Sequence, residues 1–226
     1  KFTSRSAKTA FRRQNRRSLE SFNSIKIMKK IIALLTILLL QSCIVNIKQD
    51  YNGYSRNLVF EQNKKWLINN IYTDLNSYDR DELNKKIFEK FNELSKGNAY
   101  TLEKARSENL IAGKISFSPE IEEIEQLKNA TDFDYLVNIY TKKVRNNLSL
   151  IEPTEQTRYA SNEAFAIIEV YDIKKMKKIY LQKASSLQTR EEKTKGPSFH
   201  YTSETLSKKN LKKIIKDIEK NAILKN

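Results

Sequence analysis

One cysteine and one histidine are the side chains of this 226-residue chain that could act as nucleophile and general base. A hydrolase of that type needs the histidine within hydrogen-bond reach of a cysteine or serine nucleophile. His200 lies in a polar loop between Phe199 and Tyr201, which favours a plain surface histidine. The sequence also has no Gly-x-Ser-x-Gly elbow. The pattern therefore predicts no nucleophile–histidine pair.

Carboxylates are the other candidates for acid–base chemistry. The densest acidic run holds Glu120, Glu122, Glu123 and Glu125. All four lie at one predicted helix start, where the helix dipole favours acids, so a solvated face is a better interpretation than a glycosidase pair. Asp132 and Asp134 precede a predicted strand and are interpreted as turn formers. With no H-E-x-x-H, Walker or G-x-G-x-x-G motif in the sequence, we expect no catalytic residue, metal, cofactor or small-molecule substrate.

Cys43 has a more definite chemistry, because it ends the stretch MKKIIALLTILLLQSC, residues 28–43. Two lysines follow Met28, and an apolar run broken only by Thr36 extends from Ile31 to Leu40. A basic start, a short apolar run and a small residue before the cleavage point are typical of a secretory signal. The segment therefore predicts export, with residues 28–42 as the signal peptide.

The same stretch resembles the bacterial lipoprotein signal, in which a Leu-x-small-Cys box precedes lipidation. Leu40, Ser42 and Cys43 match that box, while Gln41 is a less usual occupant of its second position. The resemblance implies that the Cys43 thiol receives a diacylglycerol and that the chain is cut before it. Since each buried CH₂ adds roughly 0.8 kcal/mol, two or more acyl chains anchor a protein stably. Ile44 is not an aspartate retention signal, which favours the outer membrane, facing the periplasm.

Two alternatives stay open for this stretch, namely a retained transmembrane helix and a buried core helix. A bilayer span needs about 20 apolar residues, and the run here is shorter. Extending the apolar run through Ile44, Val45 and Ile47 would include the polar residues Gln41, Ser42 and Asn46.

The net charge of +15 is unevenly distributed along the chain. Residues 1–42 carry ten Lys or Arg and one Glu, hence +9, which leaves +6 for residues 43–226. Residues 1–27 are interpreted as a non-native or over-extended start before Met28. A charge of +6 is an ordinary solubility level and does not require nucleic acid as a partner.

Residues 43–62 are predicted to be the lipidated cysteine and a polar tether, with Asn52-Gly53 as a turn, and residues 63–226 an α/β domain. We expect strands over 64–73, 99–102, 110–117, 133–144, 163–173 and 177–188. We expect helices over 79–95, near 103–109, from 118 and from 207. Asp79 with Glu82, and Ser207 between Leu206 and Leu211, are the predicted helix caps. This order predicts a single small mixed sheet with helices packed on it, an α/β (α+β) fold.

The run from Trp66 to Ala222 resembles the periplasmic α/β domain of curli-secretion lipoproteins and the amino-terminal domain of the Tol propeller protein. TDFDYLVNIY, EVYDIKKMKKIYLQ and the terminal amphipathic helix carry this resemblance. It implies an envelope location and a role in assembly or transport, and it transfers no catalytic residue.

Two lysine-rich patches remain. The hairpin patch is Lys174, Lys175, Lys177 and Lys178, and the last helix carries Lys208, Lys209, Lys212, Lys213 and Lys216. Each is interpreted first as a solvated surface and second as a contact for anionic lipid or nucleic acid. The sequence thus predicts a lipid-anchored envelope protein that binds an envelope protein partner. A membrane-tethered, carboxylate-dependent hydrolase and an anionic-lipid or nucleic-acid binder are the alternatives.

Overall fold

The computed structural model describes residue 28 and residues 47–55, 57–108, 110–111, 114–148, 151–152, 160–189 and 198–225. The chain divides into two compact units, Lys1–Val45 and Asn46–Asn226. Apart from Met28, the first unit lies outside the described residues, so the predicted signal peptide and its alternatives stay predictions. The second unit is the α/β domain.

The strands of the domain are β1 (Lys48–Tyr54), β2 (Val59–Glu61), β3 (Trp66–Ile68), β4 (Tyr72–Thr73), β5 (Ala99–Thr101), β6 (Tyr135–Asn146), β7 (Ile151–Glu152), β8 (Ser161–Asp172), β9 (Lys177–Thr189), β10 (Ser198–Phe199) and β11 (Ile223–Lys225). Seven of them form a mixed sheet in the order β1-β9-β8-β6-β3-β5, with β4 also paired to β6. Strands β3, β4, β5 and β6 are parallel to one another, whereas β6, β8, β9 and β1 alternate in direction. Two small pairs, β10 with β7 and β11 with β2, lie outside this sheet.

Four helices pack on the sheet, which confirms the predicted fold class. They are α1 (Ser77–Leu94), α2 (Leu102–Ser107), α3 (Ile121–Ala130) and α4 (Ser203–Asn221). Apolar side chains of α1 and α4 join one hydrophobic cluster with one sheet face, and those of α2 and α3 join a second cluster with the other face. The result is a helix–sheet–helix arrangement.

Strand β3 is apolar on both faces because it lies between β5 and β6 inside the sheet. Successive side chains of a strand point to opposite faces, so Trp66 enters the first cluster and Leu67 the second. Trp66 stacks on Phe60 with ring centroids 4.5 Å apart. The predicted interior strand is thereby confirmed, although it stops at Ile68 and resumes as β4.

Both predicted helix caps are wrong in position. Helix α1 is capped by Asn76, whose side-chain oxygen accepts from Asp79 N at 2.9 Å, so Asp79 lies inside the first turn. Helix α4 starts one turn before Ser207, because the Thr202 hydroxyl accepts from Thr205 N at 3.2 Å. In both cases an earlier residue with a polar side chain offers the cap that the apolar periodicity alone did not reveal.

The described residues of 110–117 contain no strand, so the strand predicted there is wrong, and α3 begins at Ile121 with Glu120 as its cap residue. The segment instead closes over the sheet: Asn69 Nδ2 donates to Ile115 O at 3.1 Å and to Asn138 Oδ1 at 2.9 Å. Hydrogen bonds of the buried side-chain amides of Asn69 and Asn138 therefore replace the backbone hydrogen bonds that a strand would have formed.

The predicted tether also needs correction, because Lys48–Tyr54 is the edge strand β1 and pairs with β9 over its whole length. Asn52 and Gly53 lie inside this strand and not in a turn. Position 53 requires glycine because the backbone of β9 lies so close to it: a Cβ on Gly53 would lie 2.1 Å from Leu181 O. Strand β1 therefore begins five residues after Cys43.

Candidate functional site

The predicted lipidation site comes first, since it is the one site with a defined chemistry. Leu40, Gln41, Ser42 and Cys43 lie outside the described residues. Within the described ranges, no helix combines the length and the hydropathy needed to cross a bilayer. Lipidation of Cys43 therefore stays a prediction.

The hairpin lysines are mostly engaged in ion pairs with buried carboxylates. Lys174 Nζ lies 2.5 Å from Asp134, Lys175 Nζ 2.9 Å from Asp172, and Lys178 Nζ 2.7 Å from Glu169. Lys177 is exposed at the start of β9 and has no ion pair among the described residues. Three of the four positive charges are thus neutralised locally, which weakens the interpretation of this hairpin as an anionic-surface contact.

Asp134 is more than the turn former that the sequence suggested, because it is buried and holds three groups together. It accepts from Lys65 N at 2.9 Å and from the ammonium groups of Lys64 and Lys174. Burial raises the pKa of this carboxyl group, but the hydrogen bonds from Lys174, Lys65 and Lys64 outweigh burial and lower the pKa below its ordinary value. Its role in this geometry is to fix the end of the sheet.

His200 is buried, contrary to the expectation of a surface histidine. The acidic run at α3 behaves as expected: Glu122 and Glu123 lie in the first helical turn, and Glu123 accepts from Ser116 N at 2.6 Å. In the part of the chain that the structure describes, no group of three His, Cys, Asp or Glu side chains is placed to hold a metal ion.

One cleft has a volume of about 450 Å³ and lies between the start of β3, the end of α3 and the β5 edge. Its lining includes Tyr100, Asn129 and Phe133. Lys65 and Asp132 form an ion pair at this cleft, and both side chains are more than one-third exposed. The cleft is therefore shallow and polar, and a salt bridge occupies the charged groups that could have recognised a ligand.

A more distinctive surface is the sheet face opposite α4, on the β6-β8-β9-β1 side. Residues paired across neighbouring antiparallel strands point to the same face, and one such row runs Tyr140, Ile167, Lys183 and Asn52. Neighbouring rows add Phe165, Leu181, Leu187 and Tyr54 to the same face. We name as the open face the set Tyr54, Tyr140, Phe165, Ile167, Leu181, Lys183 and Leu187.

Six of the seven side chains of the open face are half-buried, and the seventh, Tyr54, is 47% exposed. None of them belongs to either buried cluster, in contrast to the alternate residues of the same strands, such as Ala166, Ile168 and Ala184. An apolar patch of this kind with a polar rim is typical of an interaction surface. The open face is therefore the best candidate for a docking surface in the described domain.

Aromatic rings order one border of the open face. Phe117, Tyr140 and Phe165 form a continuous row, with centroids 5.0 Å apart in the first pair and 5.5 Å in the second. Lys183 Nζ lies 4.8 Å above the Phe165 ring, a cation–π distance. Because the rings are tilted and not coplanar, the row does not form a flat stacking platform.

The open face was not predicted from the sequence, although its signal was present. In EAFAIIEVYDI the positions that face α4 are small or aliphatic, and the alternate positions Phe165 and Ile167 are also apolar. Apolar residues on both parities predict a strand covered on both sides. On the side of Phe165 and Ile167, that cover is not complete within the described residues.

Comparison with known proteins gives distant structural matches. Neither a known protein family nor a curated protein matches the sequence. The PelC dodecamer structure from Paraburkholderia phytofirmans is 10% identical with a TM-score of 0.37, and covers 79% of this chain and 99% of that one. Lipoprotein GNA1162 from Neisseria meningitidis is 12% identical with a TM-score of 0.31, and covers 56% of this chain and 83% of that one. The hypothetical protein CT253 from Chlamydia trachomatis is 12% identical with a TM-score of 0.32, and covers 70% of this chain and 97% of that one.

These are distant resemblances to solved structures, one of which is a lipoprotein. Membership of a family does not follow from them.

Proposed function

We propose that this chain is a lipid-anchored protein of the bacterial cell envelope that works as a binding or assembly module and not as a catalyst. The observation that carries the proposal is the signal-like segment ending at Cys43, close to the first strand of a folded domain. The anchor would be a diacylglycerol on the Cys43 thiol. The outer membrane, on its periplasmic side, is the location that we propose, and kinship with curli-secretion lipoproteins or the Tol domain belongs to the same proposal.

The short distance between anchor and domain supports a role at the membrane surface. An extended chain spans at most about 3.6 Å per residue, so the five steps from Cys43 to Lys48 reach about 18 Å at most. Lys48 is the first residue of β1. An acylated Cys43 would therefore hold the edge of the sheet close to the lipid headgroups.

The open face supports a role in binding. Its half-buried aliphatic and aromatic side chains on antiparallel strands resemble the apolar centre of a protein interface, and Lys183 with Tyr54 supplies a polar rim. An envelope protein that carries a complementary apolar patch is the partner that we propose. The buried carboxylates Asp134, Asp172 and Glu169 are engaged by lysines, which supports binding over acid–base catalysis.

The decisive experiment on the anchor is mass spectrometry of the protein isolated from bacterial membranes. We expect the amino-terminal peptide to begin at Cys43 and to carry a diacylglyceryl group, with or without a further acyl chain. A matched Cys43→Ser variant should stay uncut and carry no diacylglyceryl group. An unmodified Cys43 in the membrane fraction contradicts the proposal, whatever the open face binds.

A further inference from the structure

The outer side of α4 carries a row of exposed lysines that no element of the described domain covers. The α4 lysine row is Lys209, Lys212, Lys216 and Lys220, whose spacing of three or four residues places them on one side of the helix. At 1.5 Å of rise per residue the row is about 16 Å long. It is therefore long enough to meet several lipid headgroups at once.

The acidic residues of α4 do not neutralise this row, because their side chains engage other elements. Glu204 pairs with Lys143 of β6, and Glu219 pairs with Lys90 of α1. Asp217 accepts from the Tyr51 hydroxyl at 2.8 Å. Within the described residues the α4 lysine row has no ion pair, in contrast to the paired lysines of the β8–β9 hairpin.

The row lies beside the point where the anchor segment enters the domain. Gln49, the second residue of β1, donates to Asn210 Oδ1 at 3.2 Å and accepts from Lys213 Nζ at 3.0 Å. Both partners lie in the middle of α4, between members of the row. Six steps separate Cys43 from Gln49, a reach of at most about 22 Å. An anchor at Cys43 therefore keeps Gln49, and the part of α4 that it contacts, within about that distance of the acylated residue.

We propose that the α4 lysine row binds the anionic phospholipid headgroups next to the anchor and seats the domain on the membrane. The proposal rests on the lipid anchor proposed above and adds an orientation to it. Helix α4 and the open face lie on opposite sides of the sheet, so the seated domain directs the open face away from the bilayer. The membrane then does not cover the surface that we assign to a protein partner.

Anionic lipid fits the row better than nucleic acid does. Single-stranded nucleic acids are bound by stacking of bases on aromatic side chains within a basic groove. The aromatic rim of the open face lies on the other side of the sheet from the row. At the row itself, the ammonium group of Lys209 covers the Tyr201 ring, with 3.3 Å between Nζ and the ring centroid, so that ring face is not open to a base. A flat array of headgroup charges needs only lysines at the surface, each contributing on the order of 1 kcal/mol.

Vesicle flotation tests the seating without depending on acylation. The full chain with Cys43→Ser is mixed with phosphatidylcholine vesicles that contain either no phosphatidylglycerol or about one-third of it, at low ionic strength so that charges are not screened. The apolar stretch 31–40 can add binding to both kinds of vesicle. The quantity compared is therefore the excess binding to the anionic vesicles.

The test variant changes all four lysines of the row to glutamine, which keeps helix propensity similar. The matched control changes four exposed lysines elsewhere, Lys114, Lys128, Lys142 and Lys177, to glutamine and so has the same net charge. Since one surface lysine is worth on the order of 1 kcal/mol, or about fivefold, we expect the row variant to lose at least about tenfold in excess binding. We expect the control to lose less than about threefold, since its lysines lie away from the membrane-facing side.

Equal losses in the two variants mean that net charge alone matters, and they overturn the proposal. The proposal is also overturned if the row variant keeps its excess binding to anionic vesicles and its circular dichroism spectrum matches that of the parent. A third arm measures binding to a DNA duplex: loss of DNA binding with intact vesicle binding assigns the row to nucleic acid and overturns the proposal. Because every arm uses the Cys43→Ser chain, its outcome is separate from that of the acylation experiment.

Discussion

The carboxylate of Asp134 receives the ammonium group of Lys174 at 2.5 Å, which joins the start of β6 to the turn after β8. The same carboxylate accepts the backbone N–H of Lys65, just before β3, at 2.9 Å. Three segments that are distant in sequence therefore meet at one buried side chain. These contacts fix the β8–β9 hairpin against the parallel strands β3 and β6 at this end of the sheet.

The first prediction follows from this contact. Asp134→Asn keeps the shape of the side chain but removes the charge, so the hydrogen bonds to Lys174 and Lys64 lose their charge assistance. We expect the free energy of unfolding in urea at neutral pH to fall by about 1–3 kcal/mol. Asp132→Asn is the control, because its exposed ion pair with Lys65 should contribute no more than about 1 kcal/mol.

The stability difference between parent and Asp134→Asn should also depend on pH. The folded-state pKa of Asp134 is lowered from its ordinary value of 3.8. The carboxylate therefore stabilises the fold above pH 3.8, and this contribution is lost as pH falls through the lower folded-state pKa. Urea titrations should show the two proteins converging in that acidic window, and a constant difference down to pH 2 (about two units below the ordinary carboxyl pKa) contradicts the assignment.

The second prediction concerns the close approach of β1 and β9. Gly53→Ala places a methyl group 2.1 Å from Leu181 O, a backbone atom that cannot move without shifting β9. We expect a loss of about 1–3 kcal/mol in unfolding free energy and faster amide exchange over Lys48–Tyr54. The exposed neighbour Asn52→Ala should change stability by less than about 0.5 kcal/mol. Equal amide exchange in the two variants excludes a packing role for Gly53.

The strands and helices were predictable where one period dominates the sequence. The helix over 79–95 and the hairpin from EAFAIIEVYDI to KKIYLQKASSLQ both follow from apolar spacing and turn residues. Their ends were less predictable, because Asn76 and Thr202 act as caps one turn before the apolar stripe begins. A helix cap depends on one hydrogen bond between a polar side chain and a backbone N–H. The spacing of apolar residues contains no information about that bond.

The edge strand and the open face were not predictable for a different reason. Strand β1 is polar at nearly every position, and its stability comes from pairing with β9, 137 residues away in the case of Gln49 and Ser186. Likewise the lysines of the hairpin form a basic patch in sequence. In the fold, three of them pair with buried acids, namely Asp134 just before β6 and Asp172 and Glu169 in β8. Long-range pairing decides both features, and a local pattern contains no information about the partner.

The third prediction concerns the buried tyrosines. Burial, followed by the negative charges of Asp172, Glu61 and Asp134, raises the pKa of Tyr135 to about 12. Burial and a hydrogen bond to Asp217 raise the pKa of Tyr51, and burial also raises that of Tyr180. A raised folded-state pKa stabilises the fold fully below the ordinary value of 10 and loses that contribution as pH rises towards the folded-state value.

Absorbance titration of phenolate checks this prediction. We expect the native protein to ionise part of its eleven tyrosines only at higher pH than the denatured protein, with unfolding accompanying the late fraction. Tyr51→Phe should shrink the late fraction by one tyrosine. Superimposable native and denatured titration curves contradict the burial of these hydroxyl groups.

The last prediction tests the open face as a partner surface. Ile167→Thr exchanges an apolar side chain on this face for a polar one that strands tolerate, and Ile167 is only half-buried. We expect an unfolding free energy within about 1 kcal/mol of the parent, because little buried apolar area is removed. For the binding assay, a photoreactive residue replaces Leu187 of the same face, and the protein is cross-linked in intact cells. We expect the major adduct with an envelope protein to be lost when Ile167→Thr is added to this chain.

Ile121→Thr provides the matched control, since Ile121 is 66% exposed at the start of α3 and lies outside the open face. The same loss of an apolar side chain at that position should leave the adduct unchanged. A photoreactive residue at Lys212, on α4, should give no protein adduct if that helix lies on the lipid. If the adduct survives Ile167→Thr and appears equally from Lys212, the partner does not bind the open face.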